Sequence, residues 1–438
     1  MSRSKLGGVA IFRHRNFALI WSATFLGSVA MQMMAVAIGW QMYDLTGRAF
    51  DLGLVGLAEF MPAIVLVFIT GAVADRFDRR IVTIFAIAGE FLCAAALCWF
   101  AWTMTADRWS ILAVAAGFGI SRAFAAPASR AIVPTLVPDK ELASAIAWSA
   151  LAWQGAVVGD PALGGFIYHW GGPETVYAVA GGLLFVAALS MAFISTPVRV
   201  ATQAAGSAVQ EVLAGLRLIF QRKLLLGAIS LDLFAVLFSC AIPLLPIFAK
   251  DVLQTGPDGL GLLRAAPGVG AVLMAIYLSQ FPLRHSVGRI LFFAVGVFGI
   301  AAVGFSFSRM FELSLLLLAI MGAGDMVSVY IRGTIVPLAT PDRLRGRVMA
   351  VEMVFIGASN ELGLFAAGIF ASILGAVGAV TFGGTATLLV VLLWTRFFPQ
   401  LARIQRLDAD ELGFRDDEGP DKLPPAQETG DRPARGGG

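Results

Sequence analysis

The sequence predicts an all-α membrane protein of twelve transmembrane helices, built as two pseudo-symmetric halves of six. Three observations predict it: a composition too apolar for water, twelve apolar runs of spanning length, and an internal repeat that lays the second half over the first.

Composition comes first. Of 438 residues, 58% are hydrophobic and only 14% are charged, and the mean hydropathy is +0.81. Soluble domains sit near 45–50% apolar and about 25% charged, so this chain lacks the polar residues to cover itself in water. Its 48 glycines suit helices that must approach closely inside a bilayer. Cys93, Cys98 and Cys240 all fall within apolar runs, with no Cys or Cys/His metal spacing. They read as buried thiols, and neither a metal nor a cofactor is expected. The first apolar run is too long for a signal sequence and lacks a small-residue cleavage site, so it reads as the first span.

A spanning helix needs roughly 20 mostly apolar residues. By that measure the spans cover residues 17–40, 52–73, 81–104, 109–130, 142–166, 174–195, 224–248, 259–280, 289–307, 313–333, 348–372 and 379–398. Orientation follows from the positive charges. With a cytoplasmic N-terminus, the inner segments before the last span hold 18 Lys and Arg residues, and the outer loops only four: Arg48, Arg108, Lys250 and Arg309. That imbalance puts both termini in the cytoplasm.

The domains then follow. Residues 1–195 are the N-terminal six-helix half, 196–223 a cytoplasmic linker ending in the amphipathic stretch EVLAGLRLIF, and 224–398 the C-terminal half. Residues 399–438, rich in charge, Pro and Gly, are expected to be a disordered cytoplasmic tail.

The repeat supplies the symmetry. GISRAFAAPASRAIVPTLVPD (residues 119–139) lies over GAGDMVSVYIRGTIVPLATPD (322–342) at an offset of 203, which also carries Gly165 onto Gly368 and Gly181 onto Gly384. GLAEFMP (56–62) lies over GLLRAAP (261–267) at an offset of 205. Halves that both start on the same side are parallel repeats, with a substrate site between them near mid-membrane.

Ionisable residues inside spans are costly and are functional candidates for that reason. Here they are Glu59, Glu90, Arg122, Asp160, Asp232, Arg264, Asp325, Arg332, Glu352 and Glu361. Arg332 and Glu352 lie near inner ends, where snorkelling accounts for them. The repeat puts Glu59 opposite Arg264 and Arg122 opposite Asp325, so opposite signs fill equivalent positions twice. These four are gate-pair candidates, each with the alternative of being satisfied inside its own half. Asp232, Glu361 and Asp160 are proton-coupling candidates, because a carboxylate in a low-dielectric span can take up and release a proton. Trp148, Trp153 and Gln154 are candidates for the wall of a substrate cavity; core packing is the alternative.

Residues 71–80, GAVADRFDRR, place five charges between two apolar runs. Gly71 permits close packing at the end of span two. Asp75 stands where it can face the positive N-terminal end of a neighbouring helix, and Arg76, Arg79 and Arg80 hold the loop at the anionic cytoplasmic surface. Topology anchoring alone is the alternative reading.

That loop is similar to the signature GxxxDRxxRR of the major facilitator superfamily, and lies between the same two spans. GISRAFAAPASRAIVPTLVPDKEL and PDRLRGRVMAVEMVFIGASNELG resemble the branch containing the enterobactin exporter and related drug-efflux proteins. The resemblance covers roughly residues 10–398. It makes the neighbour of Asp75 the start of span eleven, near Arg345 and Arg347, and makes span seven, with Asp232, a cavity-lining helix. Two departures stand out. Where exporters of the superfamily carry GxxxGPxxGG, this chain has GAVVGDPALGG with Asp160 before the proline. FPLRHSVGRI, in the second half, keeps Arg284 and Arg289 without an acidic anchor.

The resemblance implies a secondary active transporter. It would move a small amphiphilic solute, drug-like or a siderophore, across the cytoplasmic (inner) membrane by alternating access, as an exporter working by proton antiport. A proton-coupled metabolite importer is the alternative, followed by a passive channel or receptor, for which a two-half repeat has no use. The partners expected are a small-molecule substrate, protons and the lipid bilayer, with no nucleic acid, for a chain acting as a monomer. GxxxxGK[ST], HExxH and GxSxG are all missing from the sequence, which leaves an enzyme reading without footing.

Overall fold

The computed structural model describes residues 9–138, 141–195, 208–408 and 412, and among these there is no β-strand. A 3₁₀ turn, Val9–Arg13, leads into α1 (Arg15–Thr46), α2 (Ala49–Arg76), α3 (Arg79–Trp102), α4 (Arg108–Leu136) and α5 (Leu142–Ala192). After the linker come α6 (Ala208–Gln221), α7 (Lys223–Leu237), α8 (Ala241–Ile247) and a π turn at Phe248–Val252. Then follow α9 (Pro257–Gln280), α10 (Val287–Phe307), α11 (Phe311–Leu338), α12 (Asp342–Phe397) and α13 (Pro399–Ala402).

Two of these helices are too long to be single spans. At about 1.5 Å per residue, the 51 residues of α5 and the 56 of α12 would each reach more than twice the roughly 30 Å hydrocarbon core. Each reverses at one glycine: Gly172 at φ 73°, ψ 178° and Gly375 at φ 71°, ψ 167°. That backbone region is close to glycine-only. Both arms of α5 return to the start of α1. Trp21 Nε1 donates to Trp148 O at 2.8 Å, and Ser195 N–H donates to Asn16 Oδ1 at 3.4 Å. Counting each as two spans gives twelve, six per half. Gly172 and Gly375 stand 203 positions apart, the same offset as the repeat.

Span seven is broken, where the sequence predicts one continuous helix. Pro243 has no N–H for the Ser239 carbonyl four residues back, and its ring crowds that carbonyl; α7 accordingly ends at Leu237 and α8 begins at Ala241.

Close packing fixes the register of the two halves. A Cβ on Gly119 would stand 2.0 Å from Glu59 O, and one on Gly322 would stand 1.9 Å from Pro267 O. Likewise Gly53 packs on Gly368, and Gly261 packs on Gly165. Since Gly119 answers to Gly322 and Gly165 to Gly368, the equivalent of Gly53 is Gly261 and that of Glu59 is Pro267. Spans two and eight therefore correspond at an offset of 208, not 205. The residue equivalent to Arg264 is Gly56, one turn from Glu59.

The described contacts between the halves gather at the end of the bundle away from the linker, here termed the far end. Besides the two glycine pairs, Tyr43 Oη donates to Asp251, Lys250 binds Asp44, and His169 Nδ1 lies 3.1 Å from Asp258 Oδ1. At the linker end, α6 packs along the start of α12, where a Cβ on Gly215 would stand 2.9 Å from Arg347 O.

The start of the C-terminal tail is ordered, contrary to the expectation of disorder from residue 399. Leu401 and Ile404 are buried, and Gly288 N–H donates to Ile404 O at 3.0 Å. The apolar Leu401 and Ile404 precede the charged stretch, so they join the core instead of solvating. Residues 413–438 lie outside the described residues.

Candidate functional site

Two charged cavities occupy the middle depth of the bundle, and they differ in which halves wall them. The first, of about 200 Å³, lies between the halves. Met31, Gln32 and Met34 of α1, Glu59 of α2, and Phe118 and Arg122 of α4 face Arg264 of α9 and Glu361 and Leu364 of α12 across it. Arg122 and Glu361 each sit fourteen residues from the far end of their spans, about 21 Å in.

The charges here do not pair as the repeat suggests. Arg122 Nη1 lies 3.5 Å from Glu59 Oε2, within the N-terminal half. The contact follows from α2 and α4 touching backbone to backbone at Gly119. Arg264 instead reaches across the seam and donates to the Ala35 carbonyl of α1 at 2.6 Å. Glu59 and Arg264 share the cavity without a direct bond, and their supposed equivalence fails by one helical turn. Glu361 is left over: its Oε2 is buried with no hydrogen-bond partner.

The second cavity, also about 200 Å³, is walled by the C-terminal half alone, with Asp232, Ser239, Phe298, Asp325, Ser328 and Asn360 among its residues. Below it, Arg332 Nη2 binds Asp232 Oδ1 at 2.8 Å and Arg332 Nη1 stands 3.7 Å from Glu352 Oε1. Asp325, Ser328 and Arg332 share one face of α11, being spaced three and four residues apart, and that face turns to α7. Asp325 therefore has Asp232 and Arg332 as its charged neighbours, and the expected Arg122–Asp325 pair across the halves is not formed. Arg332 and Glu352 do not snorkel; Arg332 is 4% exposed and buried between two carboxylates. Sequence reasoning left this Asp232–Arg332–Glu352 triad unrecognised. The two acidic positions and one arginine along three spans are visible in the sequence, but which helix faces meet is not.

The remaining candidates scatter. Asp160 is buried, its Oδ2 without a partner, beside the Pro161 carbonyl that touches Gly261. Trp148 belongs to an aromatic cluster with Phe12 and Trp21, at centroid distances of 5.0 and 6.4 Å. It packs there against α1 and does not line the cavity between the halves. The side chains of Trp153 and Gln154, and of Asp75 and Arg76 in the 71–80 loop, lie outside what is described, as do the surroundings of Gly71. Of that loop, Asp78 caps α3 by accepting from Arg80 N–H at 2.9 Å, and the Arg80 guanidinium donates to Ala192 O at the end of α5.

Twelve spans, a twofold repeat seated on matched glycines and a cavity walled by both halves are the marks of a rocking transporter. A family model described as a transmembrane secretion effector matches residues 6–416. The chain belongs to the major facilitator superfamily. Within that superfamily it is 28% identical over 370 residues to the multidrug efflux pump Tap of Mycobacterium tuberculosis, covering 80% of this chain and 85% of Tap. It is 24% identical over 403 residues to the enterobactin exporter EntS of Citrobacter koseri, covering 90% and 94%. Among solved structures, a bacterial homologue of the lysosomal transporter Spinster in an inward-facing, unoccupied conformation superposes with a TM-score of 0.66. It shares 14% identity and covers 91% of this chain and 98% of its own. The D-xylose–proton symporter reaches the same TM-score at 16% identity, covering 87% and 98%. These two share the fold. The chain is thus a multi-pass membrane transporter related to drug and siderophore exporters, and a member of a family of transporters, not enzymes.

Proposed function

We propose that the chain exports a small amphiphilic solute across the cytoplasmic membrane by alternating access, driven by proton antiport. The observation that carries this reading is the cavity between the halves, bounded by far-end contacts on one side and walled by both six-helix units. A ligand held there touches both halves, so rocking them about it exchanges the side on which it is released. The names of the related proteins, a multidrug pump and an enterobactin exporter, favour export and an amphiphilic cargo.

In this reading both termini are cytoplasmic, as the distribution of Lys and Arg supports, and the far-end contacts belong to an inward-facing state. The two units, 1–195 and 224–398, rock about the linker 196–223 as a monomer. Asp75, with Arg76, Arg79 and Arg80, closes the cytoplasmic side in the opposite state. The triad of the C-terminal half carries the coupling proton. One guanidinium, Arg332, balances one of the three carboxylates Asp232, Asp325 and Glu352. A proton taken up there would lower the cost of the unbalanced buried charge.

Transport into inside-out vesicles tests the proposal, with an imposed proton gradient and a panel of amphiphiles and siderophores. Accumulation that collapses with the gradient is expected. Uptake that only follows the substrate's own gradient, or runs in the opposite direction, refutes antiport export. Asp75→Asn should insert normally and slow transport strongly; unimpaired transport would reduce the loop to a topology anchor.

A further inference from the structure

We infer that Glu361 is the carboxylate that recognises the substrate, and that the cargo's buried end is a positively charged organic amine. The inference rests on the transport reading above and assigns its site a chemical class. Partner counting in the cavity between the halves leads to it. Arg122 faces Glu59 at 3.5 Å, and Arg264 is turned onto the Ala35 carbonyl at 2.6 Å. Among the described residues lining this cavity, Glu361 is the one that keeps a buried carboxylate oxygen with no hydrogen bond. An unpaired carboxylate in a low-dielectric cavity is costly, and a ligand cation offsets that cost.

The walls agree with that class. Met31, Met34 and Phe118 line the same space, and thioethers and an aromatic face attract and mould to apolar or cationic groups. The cavity's volume of about 200 Å³ falls short of the roughly 300–1,000 Å³ typical of drug-sized pockets. It therefore takes an ammonium head, and the apolar remainder of the solute extends along the seam. Glu361 lies on the C-terminal half, whereas Glu59 and Arg122, its charged neighbours, lie on the other. A cation on Glu361 thus sits where rocking would separate it from Arg122. Asp232 and Asp325 face a cavity walled by the C-terminal half alone, which suits a proton and not a solute that must change sides. This divides the two tasks: substrate charge at Glu361, proton at the Asp232–Arg332–Glu352 cluster.

Direct binding to the full-length protein in detergent tests this without requiring transport. Three fluorescent probes of similar size are compared: ethidium, a permanent cation; N-phenyl-1-naphthylamine, neutral at pH 7.5; and anilinonaphthalene sulfonate, an anion. The wild type is expected to bind ethidium at least tenfold more tightly than the anion. Glu361→Gln should weaken ethidium at least tenfold and leave the neutral probe within about twofold. Glu361→Asp, which keeps the charge, should hold ethidium within about fivefold. Wild-type preference for the anion would hand the cavity to Arg122 and Arg264 and overturn the inference, even if Glu361→Gln failed to fold. Unchanged ethidium binding in a folded Glu361→Gln would also overturn it, leaving Glu361 as a proton carrier. Because no gradient is involved, these outcomes stand apart from any failure of the antiport reading.

Discussion

Gly165 and Gly261 meet backbone to backbone across the seam between the halves. A Cβ on Gly165 would come 2.9 Å from Gly261 Cα, and one on Gly261 would come 3.1 Å from Gly165 Cα. Gly53 and Gly368 make the pseudo-symmetric contact, with a Gly53 Cβ 3.0 Å from Gly368 Cα. In the proposed rocking cycle the halves touch there only when the far end is closed, so removing either pair's fit should act on that state alone.

Gly165→Leu is therefore expected to shift the population toward a far-end-open state. Overpacking a close contact costs about 1–3 kcal/mol, which is roughly a 5- to 150-fold change in the ratio of states. Ala367, fully buried beside Gly368, is the reporter. As a single cysteine, in a chain lacking Cys93, Cys98 and Cys240, it should resist a maleimide in the parent and react in Gly165→Leu. Equal reactivity in both backgrounds would mean that the glycine seam does not set the equilibrium.

The pairing of Glu59 with Arg122 gives a second test, because sequence and structure name different partners for Glu59. Breaking the pair by Glu59→Gln should weaken transport modestly. At 3.5 Å, with side chains 24% and 39% exposed, the interaction contributes about 1 kcal/mol at most. Reversing the charges as Glu59→Arg with Arg122→Glu should recover activity that either single change loses. Reversal as Glu59→Arg with Arg264→Glu should recover nothing, since it leaves Arg122 facing a new arginine. Rescue by the second swap and not by the first would restore the cross-half latch.

How far the sequence foretold this site depends on the kind of information each residue carries. Spans were legible because their signal is additive: twenty apolar residues announce a helix whatever it packs on. The repeat at Gly119 and Gly322 was legible because a letter-for-letter match extends along IVPxxxPD. The equivalence of Glu59 with Arg264 failed because GLAEFMP and GLLRAAP match only at their ends. A three-residue slip, close to one helical turn, keeps the same face nearly aligned. Only the backbone contacts of Gly53 and Gly261 break that ambiguity. Trp148 stood open between cavity wall and core for another reason: whether an aromatic residue faces a cavity or Phe12 and Trp21 depends on helix rotation, which apolar content does not encode.

Asp232 supplies the third prediction. Asp232→Asn should abolish proton-driven transport and spare substrate exchange down its own gradient, which needs no net proton movement. Arg332 keeps Glu352 at 3.7 Å, so the variant should still fold. Arg332→Met is expected to be harsher: removing the cation strands buried carboxylates, a loss of roughly 3–5 kcal/mol. Adding Asp232→Leu to Arg332→Met should win back part of the lost thermal stability. Uphill transport surviving in Asp232→Asn would pass the coupling role to Asp325, Glu361 or Asp160.

The segment after α12 carries the last prediction. Leu401 is fully buried and Ile404 is 4% exposed. The backbone there lies so close to α10 that a Cβ on Gly288 would stand 1.9 Å from Leu401 O. Phe398, just before it, fills the space at Gly227 on α7. The segment thus ties the linker ends of α7 and α10 together, on the same half as the Asp232–Arg332–Glu352 cluster. Leu401→Ala should cost about 2–5 kcal/mol, as for other buried leucines, and loosen this end first. Amide exchange reads it directly: protection of Gly288 N–H, bonded to Ile404 O at 3.0 Å, should fall sharply while amides of α1 and α5 hold. If the cluster depends on this cover to stay dry, the same variant should leak protons down an imposed gradient in proteoliposomes without substrate. Lost protection at Gly288 with no leak would limit the segment to stability. Unchanged protection would show that α7 and α10 hold together without it.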